Sequence, residues 1–265
     1  MLKILKRYLK LWFMFASYEI QFQFSSKSSM ILFLIGKTVR FLSFLLILIL
    51  LKHNTKTMAG YSIDEVIIFF LTFNFIDLVS QMFMRGVYSL TGKVRSGELD
   101  FYLAKPINVL FRVLAGSPDF NDVLIFIPFL FFSGWYIGQA IPLLDAVRIV
   151  LYLAFLVNGL LISIAFHIFV ACIGIITTEV DNTIMLYRDL SQMGRMPMEI
   201  YREPLRFLIT FVVPVGLMVS IPARVLLGRA PPSLLLTASL VAFTVFLLSL
   251  VSWKQALKMY TSASS

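Results

Sequence analysis

Residues 93–107 read KVRSGELDFYLAKPI, a charged and turn-rich stretch in a chain that is otherwise mostly apolar. Apolar runs long enough to cross a bilayer lie on both sides of it, so the chain must leave the membrane here. A Ser-Gly turn precedes Glu98 and Asp100, which favour the first turn of a helix, and Pro106 ends that helix. The sequence therefore predicts a short helix on the membrane surface, with four side chains able to sink into the interface: Leu99, Phe101, Tyr102 and Leu103.

A second short helix is predicted directly after the first. Asn108 can cap it, residues 109–114 form it, and Gly116 stops it. A helix–break–helix held flat against the membrane, with its charges facing water, has the shape of a lever. An ordinary anchoring loop is the alternative interpretation of the same pattern.

The composition excludes a soluble domain. Hydrophobic residues make up 59% of the chain and charged residues 14%, with a mean hydropathy of +0.89, whereas soluble domains are about half apolar and about a quarter charged. The net charge of +9 does not indicate nucleic-acid binding, because the basic residues lie between apolar runs, where they set orientation in a membrane.

Six apolar runs are candidates for bilayer-crossing helices, each close to 20 residues or longer. They are Met30–Leu51, Val66–Met84, Asn121–Ala140, Ile149–Ile176, Phe207–Leu227 and Ser233–Trp253. The sequence thus predicts an all-α integral membrane protein. Its six-span domain covers residues 30–253, and an arm (1–29) and a tail (254–265) flank it. Residues 85–120, which include the opening stretch, form its longest polar connection on one side.

The fifth run, Phe207–Leu227, leaves two interpretations open. Pro214, Gly216 and Pro222 make a straight continuous helix unfavourable. The run is either a plain span or a re-entrant hairpin, in which case a helix within Thr177–Met198 makes the crossing. Either arrangement keeps both chain ends on one side.

The distribution of Lys and Arg predicts the orientation of the spans. The N-terminal arm carries five, residues 85–120 carry five, residues 177–206 carry four and the tail carries two, against five in the opposite loops. This excess places both termini in the cytoplasm. Lys37 and Arg40 lie within the first span, from which both can snorkel toward the near interface.

The N-terminal arm is predicted to be an amphipathic helix. Apolar residues between Leu2 and Ile20 share one helical face, and four basic residues, Lys3, Lys6, Arg7 and Lys10, lie on an adjacent face. Such a helix lies in the membrane interface with its cations against anionic headgroups. A cleaved signal peptide is the alternative, but its apolar core of about six residues would be short.

Four polar residues inside the spans are candidates for a translocation path: Asn74, Asp77, Asn158 and His167. Asn74 and Asp77 are three residues apart and share a helical face, where they can line a route or bind a proton. Inter-helix hydrogen bonding is the alternative role, and packing is the alternative for His167 and Asn158. Gly134 and Gly138 offer a close-packing face, either within the chain or in a dimer.

No catalytic or nucleotide-binding pattern occurs in the sequence. There is no phosphate-binding G-x-x-x-x-G-K-[ST] loop, no dinucleotide-binding glycine fingerprint and no G-x-S-x-G nucleophile elbow. His53 and His167 are more than a hundred residues apart, and Cys172 is the single cysteine, so neither a metal cluster nor a disulfide framework is expected. We expect a chain that is not an enzyme by itself and holds no metal or cofactor.

Several segments together resemble the membrane subunits of type 2 ABC exporters. The resemblance is to the branch whose six-span permeases work with a separate ATPase. The segments are RSGELDFYLAKPI (95–107), MPMEIY (196–201), PLRFLITFVVP (204–214), IPARVLLG (221–228) and the region from Trp253 to Tyr260. The resemblance extends over essentially the whole chain.

This resemblance implies an arrangement of subunits. It implies an ATP-driven exporter in a bacterial plasma (inner) membrane, with a connecting helix near Leu2–Ile20 and a coupling helix near Gly97–Lys105. Two ATP-binding subunits, which carry the ATP and Mg²⁺, would dock below two permeases that form a homodimer or a heterodimer. The residues expected to contact the ATPase are Arg95, Gly97, Glu98, Leu99, Asp100, Lys105 and Pro106.

An ion- or proton-coupled secondary transporter is the rival hypothesis, with Asp77 as the coupling site. Such transporters are often built from two related halves, and residues 1–130 and 131–265 show no internal repeat. A membrane-embedded lipid-modifying enzyme would need a paired acid and base or a metal set, which the sequence lacks.

Overall fold

The computed structural model describes residues 2–177 and 181–261. Within them the chain is helical apart from one two-stranded hairpin and its connections. The elements in chain order are α1 Leu2–Ser25, α2 Lys27–Asn54, β1 Thr57–Met58, β2 Tyr61–Ser62, α3 Ile63–Met84, α4 Leu90–Arg95, α5 Glu98–Ala104, α6 Val109–Ala115, α7 Phe120–Ala140, α8 Ala146–Thr177, α9 Asp181–Gln192, α10 Leu205–Phe207, α11 Val215–Leu226 and α12 Pro232–Met259.

Five helices in the described part of the chain are long and apolar enough to cross a membrane. They are Lys27–Asn54, Ile63–Arg95, Phe120–Ala140, Ala146–Thr177 and Pro232–Met259. The all-α membrane fold is therefore confirmed. The second helix is longer than predicted, because the chain continues beyond Met84 through a 3-10 turn, Arg85–Ser89, into α4. The first part of the 85–120 segment thus extends a span instead of leaving it.

The fifth apolar run is bent. Leu205–Val212 and Val215–Leu226 meet at 86°, and together they form a broken span or a re-entrant loop. A straight continuous helix is therefore excluded, while a crossing by this broken pair and a re-entrant hairpin both stay open. Pro214 lies at the break, just before α11. Within the described residues α9 has 12 residues, about 18 Å of helix, which is shorter than the roughly 30 Å hydrocarbon core.

The core lies around α3 and α8. In their most apolar windows 72% and 61% of residues are buried, against 11–17% for α2, α7 and α12, which leave most of their surface exposed. α8 and α11 approach closely at Gly159, where a Cβ atom would collide with the backbone carbonyl of Met218. Only glycine allows this contact.

Gly134 and Gly138 do not pack against another helix of the chain. A Cβ atom added to either would meet nothing within 4 Å. The expectation that this pair brings two helices together inside the chain is therefore wrong, and a role between two copies stays a prediction.

The end of the bundle next to the β1–β2 hairpin is held together by polar contacts and an ion pair. Ser62 and Glu65 form a capping box at the start of α3. Arg229 forms an ion pair with Glu65, donating to its Oε2 at 3.0 Å, and also donates to the Gly60 carbonyl at 2.8 Å. The loop before α12 is thereby fastened to the start of α3, at the end of the bundle opposite the 85–120 segment.

Candidate functional site

The 85–120 segment folds into the predicted helix–break–helix. Gly97 precedes α5 with a φ of 74°, a left-handed conformation that suits glycine. α5 ends at Ala104, just before Lys105 and Pro106. Asn108 then caps α6 by accepting a hydrogen bond from the Phe111 amide at 3.0 Å.

One face of this segment is buried in the protein. Leu99 is fully buried and Tyr102 is 5% exposed. Both belong to a cluster that also includes side chains of α8 and α12: Ile168, Cys172, Ile175, Trp253 and Ala256. The expectation that Leu99 and Tyr102 sink into the lipid interface is wrong, because both side chains are buried inside the protein in this cluster. Leu99 therefore cannot form a direct contact with a docked subunit.

The other face of the segment is exposed. Phe101, in the middle of α5, is 67% exposed. Among the residues expected to contact an ATPase, Arg95, Glu98, Lys105 and Pro106 are exposed, and Gly97 and Asp100 are half-buried. Glu98 is oriented by Tyr102, whose hydroxyl donates to its Oε1 at 3.0 Å. The arrangement presents an aromatic ring flanked by charges of both signs.

The amphipathic helix α1 binds to this segment. Arg7 donates to the Pro106 carbonyl oxygen at 2.7 Å, and the Asn108 amide donates to the Tyr8 hydroxyl at 3.1 Å. The Arg112 guanidinium lies 3.9 Å from the centre of the Phe15 ring. These protein contacts were not predicted, since sequence reasoning placed the cations of α1 against lipid headgroups.

A cavity of about 480 Å³ lies among α2, α3, α7 and the residues around α9. Most of its wall is apolar, formed by Leu34, Phe41, Leu42, Phe70, Leu78, Leu124, Ile125, Pro128, Phe129 and Phe132. Its polar lining comprises Lys37, Thr38, Arg40, Asn74, Asp77, Arg188 and Arg195. Among the described lining residues, four cations thus face one carboxylate in a mostly apolar cavity.

The charge of Lys37 is compensated by a carboxylate of the protein. Its ammonium forms an ion pair with Asp122, whose side chain is fully buried at the start of α7. Lys37 thus has a carboxylate partner that the sequence did not predict, and its snorkelling toward the near interface stays a prediction. A neighbouring pair, Arg85 with the buried Asp119, joins the end of α3 to the same region.

The other charges of the cavity have no such partner. Within the described residues, Asp77, Arg40, Arg188 and Arg195 form no salt bridge. The Arg195 guanidinium lies 5.1 Å from the Phe73 ring centre, and its Nε is buried without a hydrogen-bond partner. Burial lowers the pKa of Arg195, which lies outside the spanning helices, and the charge of Arg40 lowers it further.

The four predicted path residues are distributed over different sites. Asn74 and Asp77 both line the cavity, and Asn74 donates to the Phe70 carbonyl of its own helix at 2.7 Å. His167 is buried, with Nδ1 2.8 Å from the Ser163 carbonyl, and shares a much smaller pocket with Asp77. Asn158 lines neither the cavity nor this pocket.

The sequence analysis did not predict that Arg188 and Arg195 line the same cavity as Asp77. Arg188 and Arg195 lie in the polar segment that was considered mainly for its connection between spans. One signal was available: the two are seven residues apart, a spacing typical of side chains on one helical face. In the structure Arg188 is in α9 and Arg195 is in the 3-10 turn that follows it.

Comparison with known proteins identifies the family. The family model described as "ABC-2 family transporter protein" matches residues 38–264, most of the chain. No curated protein and no solved structure gives a significant match. The matched range contains the spanning helices from most of α2 onward, the 85–120 segment and the charged cavity. The chain is therefore a multi-pass membrane protein that belongs to the ABC-2 family of transporters, as a permease component.

Proposed function

We propose that this chain is the permease subunit of an ATP-driven exporter whose ATPase is a separate chain. The two-faced construction of α5 carries the proposal. Its exposed face, with Glu98 and Phe101, points away from the helix bundle and can be reached by a protein in the water, and its buried face is part of the bundle.

A force on the exposed face can reach the bundle through one buried cluster. Leu99 and Tyr102 belong to the same buried cluster as Ile175 near the end of α8 and Trp253 near the end of α12. Because such clusters are packed tightly, a tilt of α5 displaces these helix ends with it. Closure of ATP-bound subunits below would then reopen the bundle on the other side.

The same hypothesis includes an assembly of four subunits. Two permeases, alike or different, would bind two ATP-binding subunits that hold the ATP and Mg²⁺. The excess of Lys and Arg on the side of the 85–120 segment supports a cytoplasmic position for that segment and for both termini. We place the complex in a bacterial plasma membrane.

Charge reversal on the exposed face tests the proposal. We expect Glu98→Arg to reduce the amount of co-expressed ATPase subunit that co-purifies with the chain, and the ATPase rate of the purified sample, at least tenfold. Asp145→Arg is the matched control, because Asp145 lies beyond α7 at the opposite end of the bundle in an exposed pair with Arg148. The proposal is wrong if no ATPase accompanies the wild-type chain, or if Glu98→Arg behaves like the control.

A further inference from the structure

The cavity among α2, α3 and α7 contains more charge than a packing defect would. Arg40 lies about 20 Å along α2 from Lys27, and Asp77 lies about 27 Å along the second span from Arg95, at 1.5 Å per residue. Both are well inside helices long enough to cross a membrane. Ionisable residues at such positions are costly and usually serve a function.

These charges do not cancel one another. Lys37 is compensated by Asp122. Among the lining residues that the structure describes, the remaining charges are Arg40, Arg188 and Arg195 against Asp77, an excess of two positive charges. Guanidinium groups are planar donors that bind carboxylate and phosphate through paired hydrogen bonds. The polar end of the cavity therefore suits an anion.

The rest of the lining excludes a small hydrophilic anion as the best ligand. Phe41, Phe70, Phe129 and Phe132 form much of the wall, and a bare phosphate would leave these rings without an apolar partner. The volume of about 480 Å³ falls in the range of sites for drug-sized molecules. Leu42 and Leu124 line the cavity and are themselves exposed, so a chain longer than the cavity can extend out past them.

We propose that the cavity binds an amphiphilic anion, with its carboxylate or phosphate head among Arg40, Arg188 and Arg195 and its apolar tail against the phenylalanine wall. The anion comes either from the bilayer, as an anionic lipid, or from the cell, as a single-chain amphiphile. Binding does not require the proposed export function. Only the role of the bound molecule as cargo rests on that function.

Binding is measured on the full chain, without an ATPase, in nanodiscs of phosphatidylcholine. The probe is a fluorescent fatty acid, and the comparison ligands are the fatty alcohol of the same length and inorganic phosphate. We expect the fatty acid to bind at least tenfold more tightly than the alcohol, and phosphate not to displace it. Equal affinity for acid and alcohol, or displacement by phosphate, would overturn the proposal without any variant.

Variants then locate the head group. We expect Arg40→Gln and Arg195→Gln each to weaken fatty-acid binding about tenfold, and Arg195→Lys to weaken it less than Arg195→Gln does. Lys254→Gln, which removes an exposed positive charge from the end of α12, is the control and should bind like the wild type. If both arginine variants bind like the control, the assignment is wrong.

A third arm separates the two sources. Phosphatidylglycerol incorporated into the nanodiscs either competes with the fatty acid, which identifies a lipid as an occupant, or leaves its binding unchanged, which restricts the site to single-chain molecules. Both outcomes agree with an amphiphilic anion. If the chain binds the fatty acid but no co-expressed ATPase co-purifies with it, the export function is contradicted and this inference is not. Loss of binding in a chain that still recruits the ATPase would contradict only this inference.

Discussion

Asn108 and the amide that it caps are three residues apart, whereas Lys37 and its partner Asp122 are separated by 85. The two pairs represent two regions with different origins. The 85–120 segment obtains its turn, caps and break from neighbouring residues, so its shape is largely local. The cavity is assembled from α2, α3, α7 and the region of α9, and it exists only when those helices pack. Variants in the two regions should therefore fail in different ways.

The largest expected effect is in the cavity region. Asp122→Ala leaves the Lys37 ammonium without its carboxylate in a mostly buried position. We expect the free energy of unfolding to fall by about 3–5 kcal/mol, the usual cost of breaking a buried pair from one side. Equilibrium unfolding in mixed micelles measures it.

The double variant Lys37→Met/Asp122→Leu is the control for that result. Removing both charges together should restore most of the stability, because apolar side chains of similar size can replace a buried ion pair without a large loss. If the single and double variants are equally unstable, the loss comes from packing and not from an unpaired charge.

The sequence could specify the local region almost completely. Gly97, Pro106 and Asn108 each act on residues within a few positions, and α5 and α6 begin and end close to where they were predicted. What could not be predicted was which side of α5 is buried, since part of the cluster around Leu99 and Tyr102 comes from α8 and α12, more than 60 residues later.

The cavity was predictable only in part, because many of its residues are distant from one another in the sequence. Polar residues within apolar runs indicated Asn74 and Asp77, because the cost of a polar group in a membrane is a property of its own span. The partner of Lys37 and the approach of Arg188 and Arg195 depend on how separate helices pack. A single sequence does not contain that arrangement in any local pattern.

A smaller effect is expected from the turn before α5. Gly97→Ala forces a Cβ into a left-handed conformation, with a φ of 74°, and should cost about 1–2 kcal/mol. Gly92→Ala is the matched control: Gly92 lies inside α4, a Cβ there meets nothing within 4 Å, and alanine should stabilise a helix interior by about 0.5–1 kcal/mol. Thermal unfolding of the two variants should shift in opposite directions; shifts of the same sign would contradict the local account.

The cap of α6 should have a still smaller effect. Asn108→Ala removes the acceptor of the Phe111 amide and should cost about 1 kcal/mol. Because the cap acts locally, we expect fatty-acid binding in the cavity to stay within twofold of the wild type. Asn108→Ser, which keeps a capping oxygen, should recover most of the lost stability. A cavity that loses its ligand in Asn108→Ala would show that the two regions are not independent.

The smallest structural effect is expected from Asp77→Asn, which also separates the two transport mechanisms. Asp77 forms no ion pair in the described part of the chain, and asparagine has nearly the same shape. The free energy of unfolding should therefore change by less than about 1 kcal/mol.

Asp77 is the one carboxylate that lines the cavity among the described residues. Its removal should also strengthen fatty-acid binding, by several-fold, because it increases the excess of positive charge around the head group. Vesicle assays of fatty-acid transport, with and without ATP and with and without a proton gradient, complete the test. A permease driven by a separate ATPase keeps its dependence on ATP in this variant. If Asp77→Asn abolishes transport while ATP depletion does not, the carboxylate is a coupling site, and the cavity belongs to an ion-driven carrier.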